Sequence, residues 1–188
     1  MMIDPARIIL IHGLMGSSQG KKAIYLRGLY PGILVPDFRG TVDERMSSLE
    51  DILGSGDGWR IIGSSLGGLM GAMYTCQHPD RVKKLVLLAP ALIWPAFIEN
   101  NPQPVSVPVV LYHGSRDELI PVGEVRSIAE KVFTNLTFFE VDDDHGLYKS
   151  LQEIDWDKTL GDGKELIPEF LHRVLASDLS ALMIPAQA

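Results

Sequence analysis

Apolar residues alternate between two patterns along the chain, and these predict strands separated by helices. The candidate strands are apolar almost continuously, which is typical of strands covered on both faces of a parallel sheet. They are Arg7–Ile11, Ile33–Asp37, Trp59–Ser64, Lys84–Ala89, Val107–His113 and Leu136–Val141. Apolar residues at helical spacing predict helices over Thr41–Leu53, Ser65–His78, Val122–Phe133 and Ile167–Leu182. This alternation indicates an α/β fold with about six mostly parallel strands and right-handed crossovers.

Two segments interrupt the alternation. Ala91–Ser106 contains two X-Pro turn signals together with Leu92, Trp94 and Phe97, and Trp156–Lys164 is polar and carries a Gly-Asp-Gly turn. Both are interpreted as surface connections rather than linkers between domains. We therefore expect residues 1–188 to form one domain, a length typical of single domains.

Composition narrows the functional classes. The formal net charge is −7, so the chain has no basic footprint for nucleic acid. The only cysteine is Cys76, which excludes an internal disulfide and favours a reducing, cytoplasmic setting. We expect neither a membrane span nor a signal peptide, because no apolar run is long enough and no basic segment precedes one. Nothing in the sequence predicts an oligomeric state.

The strongest chemical signal is Gly63-Ser64-Ser65-Leu66-Gly67, which matches G-x-S-x-G. It follows a predicted strand and opens a predicted helix, the setting of a nucleophile elbow. In that turn a serine is exposed by a strained backbone, small flanking residues permit close packing, and the helix N-terminus faces developing negative charge. Ser65, in the middle position, is the candidate nucleophile.

A serine nucleophile needs a base, and the chain has five histidines. His145 follows the last candidate strand, where open α/β sheets place functional groups, and is the candidate base. His12, His78, His113 and His172 are interpreted as structural or solvated.

The base needs an orienting carboxylate, and Asp117 follows the fifth candidate strand. Glu118 and the run Asp142–Asp144 are its rivals. A carboxylate within three residues of His145 is poorly placed to reach the ring from behind, so the acidic run is interpreted as a solvated loop. Asp117 is therefore the candidate acid.

The order Ser65, Asp117, His145 is that of α/β-hydrolases. The chain resembles this superfamily over most of its length through four motifs. They are His12-Gly13 after the first strand, Gly63–Gly67, Asp117 with Pro121, and His145-Gly146. Its size and its Ile11-His12-Gly13-Leu14 start are similar to small bacterial esterases and thioesterases, including the YqiA-like group.

The resemblance implies a minimal three-layer α/β/α sandwich in which the short connection 91–106 stands where larger members carry a cap. It also implies an oxyanion hole formed by the backbone N–H groups of Leu14 and Leu66, with Met15 as an alternative donor. Met15, Trp94 and Phe97 are candidate substrate-binding residues. No metal or organic cofactor is expected, because histidine and cysteine spacing offers no zinc site.

The function predicted is hydrolysis of a small-molecule ester or thioester through an acyl-enzyme on Ser65. A non-catalytic member of the fold that binds a ligand or a protein is the alternative from another class. A perhydrolase, a lyase or a peptidase also remains open. Dehalogenases and epoxide hydrolases would normally carry aspartate in place of Ser65.

Overall fold

Five parallel strands form one sheet in the computed structural model, which describes residues 3–162. The strands lie side by side in sequence order, β1 to β5. Their bounds are Ile8–Ile11 (β1), Trp59–Ser64 (β2), Val82–Leu88 (β3), Val109–Gly114 (β4) and Leu136–Val141 (β5). Because every neighbouring pair is parallel, the carboxyl ends of all five strands reach the same edge of the sheet.

The segment predicted as a second strand, Ile33–Asp37, is not a strand in the structure. It touches the sheet at one bridge, where Leu34 pairs with Ile9 of β1. The amide of Leu34 donates to the carbonyl of Ile8, and the amide of Leu10 donates to the carbonyl of Leu34. Pro36 has no N–H to continue this ladder, so pairing stops after one residue and five strands remain of the six expected.

Helices cover both faces of the sheet. Their bounds are Lys21–Leu29 (α1), Val42–Leu53 (α2), Leu66–Gln77 (α3), Pro95–Glu99 (α4), Val122–Val132 (α5), Ser150–Glu153 (α6) and Trp156–Leu160 (α7). A turn of 3₁₀ helix, Pro5–Arg7, precedes β1. No helix within residues 3–162 has the length and apolar character needed to cross a lipid bilayer.

Two cores, one on each face of the sheet, explain the continuously apolar strands. Side chains alternate between them, so Ile9 and Ile11 enter one core while Ile8 and Leu10 enter the other. The first core packs against α2, α3 and α5, and the second packs against α1, α6 and α7. The described part of the chain is thus a three-layer α/β/α sandwich, as predicted.

Helix α1 was not predicted. Only Ala23 and Leu26 are buried in it, whereas Ile24 and Leu29 lie largely exposed. Apolar residues on several faces of a short helix give no clear helical period. The predicted helix over Ile167–Leu182, and His172 within it, lie outside the described residues.

Both connecting segments pack more closely than predicted. In 91–106, Leu92 and Phe97 are buried in the first core, and α4 is the only helix there. In 156–162, helix α7 buries Trp156 and Leu160 in the second core, so this stretch is not merely a polar surface connection. Aromatic and aliphatic side chains anchor these segments because burying them removes apolar area from water.

Candidate active site

Ser65 stands at the turn from β2 into α3 in a left-handed backbone conformation, with φ 54° and ψ −118°. Positive φ is uncommon for a non-glycine residue and persists only where the surroundings impose it. Here the Ser65 amide donates to the carbonyl of Leu88 (3.0 Å), at the end of β3. The Ser65 carbonyl accepts from the amides of Gly68 (2.9 Å) and Ala91 (3.0 Å). These bonds hold the turn on both sides.

The glycines that flank Ser65 are required by close backbone approaches. A Cβ on Gly63 would lie 2.5 Å from the carbonyl oxygen of Gly67. A Cβ on Gly67 would overlap the carbonyl oxygen of Ile11 at the end of β1. These glycines therefore allow α3 to begin in direct contact with the ends of β1 and β2.

A chain of hydrogen bonds links the three residues selected from the sequence. The Nδ1 atom of His145 lies 2.7 Å from Oδ2 of Asp117, and its Nε2 lies 3.0 Å from Oγ of Ser65. A carboxylate can only accept, so Nδ1 carries the proton and Nε2 is free to accept from the serine hydroxyl. The Asp117 side chain is fully buried, whereas that of His145 is 23% exposed. The arrangement can remove a proton from Ser65 and deliver it elsewhere.

Asp117 is held as an anion by its surroundings. Oδ1 accepts from the amides of Leu119 and Ile120, both at 2.9 Å, and Oδ2 accepts from His145. Burial alone would raise the pKa of Asp117. The hydrogen bonds from His145 and from the two amides together outweigh burial and lower that pKa below its usual value. The carboxylate is therefore ready to stabilise a protonated His145.

A second histidine, His113, also contacts Asp117. Its Nε2 lies 3.1 Å from Oδ2 of Asp117 and 2.9 Å from the carbonyl oxygen of Ile120. Both are acceptors, so this nitrogen donates. Burial lowers the pKa of His113, which favours its neutral form. The sequence placed His113 before Gly114 at a strand end but gave no sign of this contact with Asp117.

The other described histidines have structural contacts. In His12, Nδ1 lies 2.8 Å from the carbonyl oxygen of Gly13 and Nε2 accepts from the amide of Phe38. His78 lies 2.8 Å from the carboxylate of Glu50. Neither ring reaches Ser65, so His145 alone among the described histidines can act as its base.

The acidic run before His145 differs from the solvated loop that was expected. Asp143 is buried and its carboxylate accepts from the amides of Asp144 (2.8 Å) and Ser150 (2.9 Å). The Asp144 carboxylate accepts from the amide of Gly146 at 2.7 Å. Only Asp142 is a simple surface residue, paired with Arg116. Asp143 and Asp144 thus satisfy backbone amides that shape the His145 loop. Glu118, the remaining rival of Asp117, is exposed.

The two backbone N–H groups expected to form an oxyanion hole have no hydrogen-bond acceptor in the described part of the protein. Neither Leu14 nor Leu66 donates its N–H to another group within residues 3–162. Leu66 is the first residue of α3, whose first-turn amides have no partner inside the helix. The Leu14 loop is closed by a bond from the amide of Gly16 to the carbonyl of Gly13. Both amides are thus available to an anionic oxygen.

Ser65 and His145 line a cavity of about 440 Å³. Leu14, Met15 and Leu119 contribute an exposed apolar rim, and Met15 is 95% exposed. Met15, a candidate substrate contact, thus lines the cavity. Trp94 and Phe97 do not line it: Trp94 lies on the surface elsewhere, and Phe97 is buried in the core because α4 packs inward.

The cavity also has polar lining that the sequence did not reveal. Lys21 and Lys22, from the first turn of α1, lie there with Tyr148. These residues belong to no recognisable motif. They come together because the fold places α1 beside the loop that contains His145. Within residues 3–162, no group of three or more histidine, cysteine or acidic side chains is arranged to hold a metal ion.

Comparisons with known proteins agree with this fold. The sequence model of the alpha/beta hydrolase fold family matches residues 16–106. A Xanthomonas campestris protein assigned to the alpha/beta superfamily of hydrolases shares 25% identity and a TM-score of 0.64, over 80% of this chain and 92% of that one. Mouse alpha/beta hydrolase domain-containing protein 10 shares 19% identity and a TM-score of 0.64, over 94% and 90% of the two chains. A marine microorganism esterase shares 17% identity and a TM-score of 0.60, over 81% and 93%.

No curated protein sequence matched the chain significantly. The low identities of the mouse and marine proteins show a common fold alone. The family match covers the strand, elbow and helix that carry Ser65, and the sheet extends the same architecture through β5. The chain therefore has the α/β-hydrolase fold, and it is similar in sequence to that family over residues 16–106.

Proposed function

We propose that the protein is a serine hydrolase that cleaves carboxylic esters or thioesters of small or medium acyl groups. The observation that carries this proposal is the hydrogen-bonded chain from Asp117 through His145 to Ser65, which ends in an open cavity. The cavity volume falls within the range of small-molecule sites, roughly 300–1,000 Å³.

In the first half of the reaction, His145 Nε2 takes the proton of Ser65 as Oγ attacks the carbonyl carbon of the substrate. The carbonyl π electrons move to oxygen, and the amides of Leu14 and Leu66 donate to the resulting oxyanion. Asp117 stabilises the imidazolium formed at His145. The tetrahedral intermediate collapses, the bond to the leaving group breaks, and His145 Nε2 protonates the departing alcohol or thiol. An acyl-enzyme on Ser65 remains.

In the second half, water takes the place of the serine hydroxyl as nucleophile. His145 removes a proton from water as its oxygen attacks the acyl carbon, and the same two amides hold the oxyanion. Collapse releases the carboxylic acid and returns the proton to Ser65. Losing one oxyanion donor typically lowers the rate by about 10²–10³, so the two amides are expected to supply much of the rate enhancement.

The test is hydrolysis of p-nitrophenyl esters and acyl-CoA thioesters from acetyl to palmitoyl, with Ser65→Ala beside the native protein. The proposal expects turnover that disappears in Ser65→Ala, with the best rates at short or medium chains. Ser55→Ala, on an exposed turn away from the cavity, is the matched control and should retain full activity. Full activity in Ser65→Ala would refute the proposal, and no turnover on any substrate would favour the ligand-binding alternative.

A further inference from the structure

Two cationic side chains line the same cavity as Ser65 and His145. Lys21 and Lys22 begin helix α1, and both contribute to the cavity wall. Within residues 3–162, no carboxylate forms an ion pair with either ammonium group, although Lys83 and Lys158 elsewhere on the surface are paired with aspartates. The chain as a whole has a formal net charge of −7, whereas this part of the cavity wall carries two positive charges without ion-pair partners in the described residues.

Both lysines contact one aromatic ring, that of Tyr148, near the candidate base. The ammonium groups of Lys21 and Lys22 lie 4.9 and 4.7 Å from the ring centroid of Tyr148. Tyr148 follows His145 by three residues and lines the same cavity. Contact with a ring face stabilises each cation modestly, but it leaves the ammonium N–H groups free to donate. The ring therefore places two neighbouring positive charges where a bound molecule can reach them.

The acidic residues that attract Lys22 form no ion pair with it in the described part of the chain. Asp143 and Asp144 are the carboxylates that attract Lys22, yet each already accepts from backbone amides of the His145 loop. Burial lowers the pKa of Lys22, and these two carboxylates only oppose that effect. An anion bound at the lysines would relieve both the burial cost of Lys22 and the repulsion between two like charges.

We propose that the site prefers ester or thioester substrates that carry a second, anionic group, a carboxylate or a phosphate, and that Lys21 and Lys22 bind this group. The apolar rim of Leu14, Met15 and Leu119 then contacts the uncharged part of the same substrate. This inference rests on the proposed hydrolase function, and it specifies the class of substrate for that site.

The experiment measures kcat/KM for two matched substrate pairs. In the first, the p-nitrophenyl monoester of succinic acid is compared with its neutral methyl ester, which places the anion on the acyl side. In the second, acetyl-CoA is compared with the acetyl thioester of N-acetylcysteamine, which places phosphates on the leaving group. The anionic member of at least one pair should be favoured by about 10-fold to 100-fold, the range expected of charge-assisted hydrogen bonds, and mainly through KM.

Substituting the lysines tests their part in this preference. In Lys21→Met/Lys22→Met the ratio of anionic to neutral kcat/KM should fall close to one, whereas Lys22→Arg should retain most of it. The ratio within each variant cancels any general loss of active protein. Lys131→Met, which removes an exposed charge from α5, is the control and should leave the ratio unchanged. Added salt should reduce the native ratio, because the lysines are partly open to solvent.

The outcomes separate this inference from the hydrolase proposal. Hydrolysis of the neutral substrates without a preference for either anionic one would overturn the inference alone. An anionic preference that survives in Lys21→Met/Lys22→Met would overturn it as well, by assigning the preference to other groups. If none of the four substrates is hydrolysed, the hydrolase proposal fails and the inference fails with it.

Discussion

Ser65 shows at the scale of a single residue how the fold supports an unfavourable conformation. A non-glycine residue at such backbone angles costs on the order of 1–3 kcal/mol. The bonds to Gly68 in α3, and to Leu88 and Ala91 at and just after the end of β3, hold the turn in place. The sequence could predict Ser65, His145 and Asp117 because each follows a strand in a recognisable motif. The contact of His113 with Asp117 could not be predicted, since it depends on side-chain packing behind the motif.

Asp117→Asn is expected to lower kcat about 10⁴-fold. In the variant the side-chain oxygen still accepts from the Leu119 and Ile120 amides, so the NH₂ group replaces Oδ2 and donates to His145 Nδ1. The ring proton then lies on Nε2, which can no longer accept from Ser65. Steady-state kinetics on a p-nitrophenyl ester measures this loss. Asp142→Asn removes an exposed carboxylate near the same loop and should stay close to native activity. Equal losses in both variants would contradict the assignment of the acid to Asp117.

Individual elements were predicted where their pattern was strong and missed where it was not. All five strands of the sheet lie within two residues of their predicted bounds, because their apolar runs are bounded by turns. Ile33–Asp37 has the composition of a strand, but Pro36 limits it to one bridge. Helix α1 exposes apolar residues on several faces, and α6 and α7 are too short to show a period. Short elements depend on tertiary contacts that a local pattern does not contain.

Gly67→Ala is expected to disrupt the start of α3. The added Cβ would overlap the backbone carbonyl oxygen of Ile11, which cannot move aside easily because β1 is paired with β2 at this point. We expect a loss of more than about 2 kcal/mol in the free energy of unfolding, together with loss of activity. Gly123→Ala is the matched control, since nothing lies within 4 Å of its added Cβ in α5. It should be neutral or stabilise by about 0.5–1 kcal/mol, and urea denaturation distinguishes the two.

Thr41→Ala is expected to destabilise α2 without affecting chemistry. Thr41 and Glu44 form a capping box, in which the Thr41 hydroxyl accepts from the Glu44 amide and the Glu44 carboxylate accepts from the Thr41 amide. Removing the hydroxyl should cost about 1 kcal/mol in the free energy of unfolding. A native midpoint of urea denaturation in this variant would show that the box does not stabilise the helix.

The whole molecule combines a predictable architecture with a site whose lining only the fold reveals. Continuous apolar strands and amphipathic helices predicted an α/β fold, and the resemblance to α/β-hydrolases implied the three-layer sandwich. Lys21, Lys22 and Tyr148 belong to no motif, so their common cavity was not predictable. Trp94 and Phe97 were candidate substrate contacts, but neither lines the cavity. The sequence does not show whether an aromatic residue in a connection faces the core, the solvent or a site. The closer similarity to YqiA-like proteins and the cytoplasmic setting stay predictions.

The stability of the protein is expected to fall in acid partly through Asp117. The folded-state pKa of Asp117 is lowered from its usual value of 3.8, so the unfolded chain binds its proton at higher pH than the folded protein does. Its contribution is therefore present above about pH 4 and is lost as pH falls through the lower folded-state pKa. Urea denaturation between pH 6 and pH 3 should show a shallower decline in Asp117→Asn than in the native protein. An identical decline would contradict this contribution.

The central claim is that Ser65, activated by His145, is the nucleophile of a serine hydrolase. The most direct measurement is labelling of the native protein by a fluorophosphonate, followed by mass spectrometry of its peptides. The account predicts one label per chain, on Ser65, and strongly slowed labelling in His145→Gln, which removes the base. An intact, folded protein that hydrolyses esters without a label on Ser65, or that is labelled at another serine, would contradict the account.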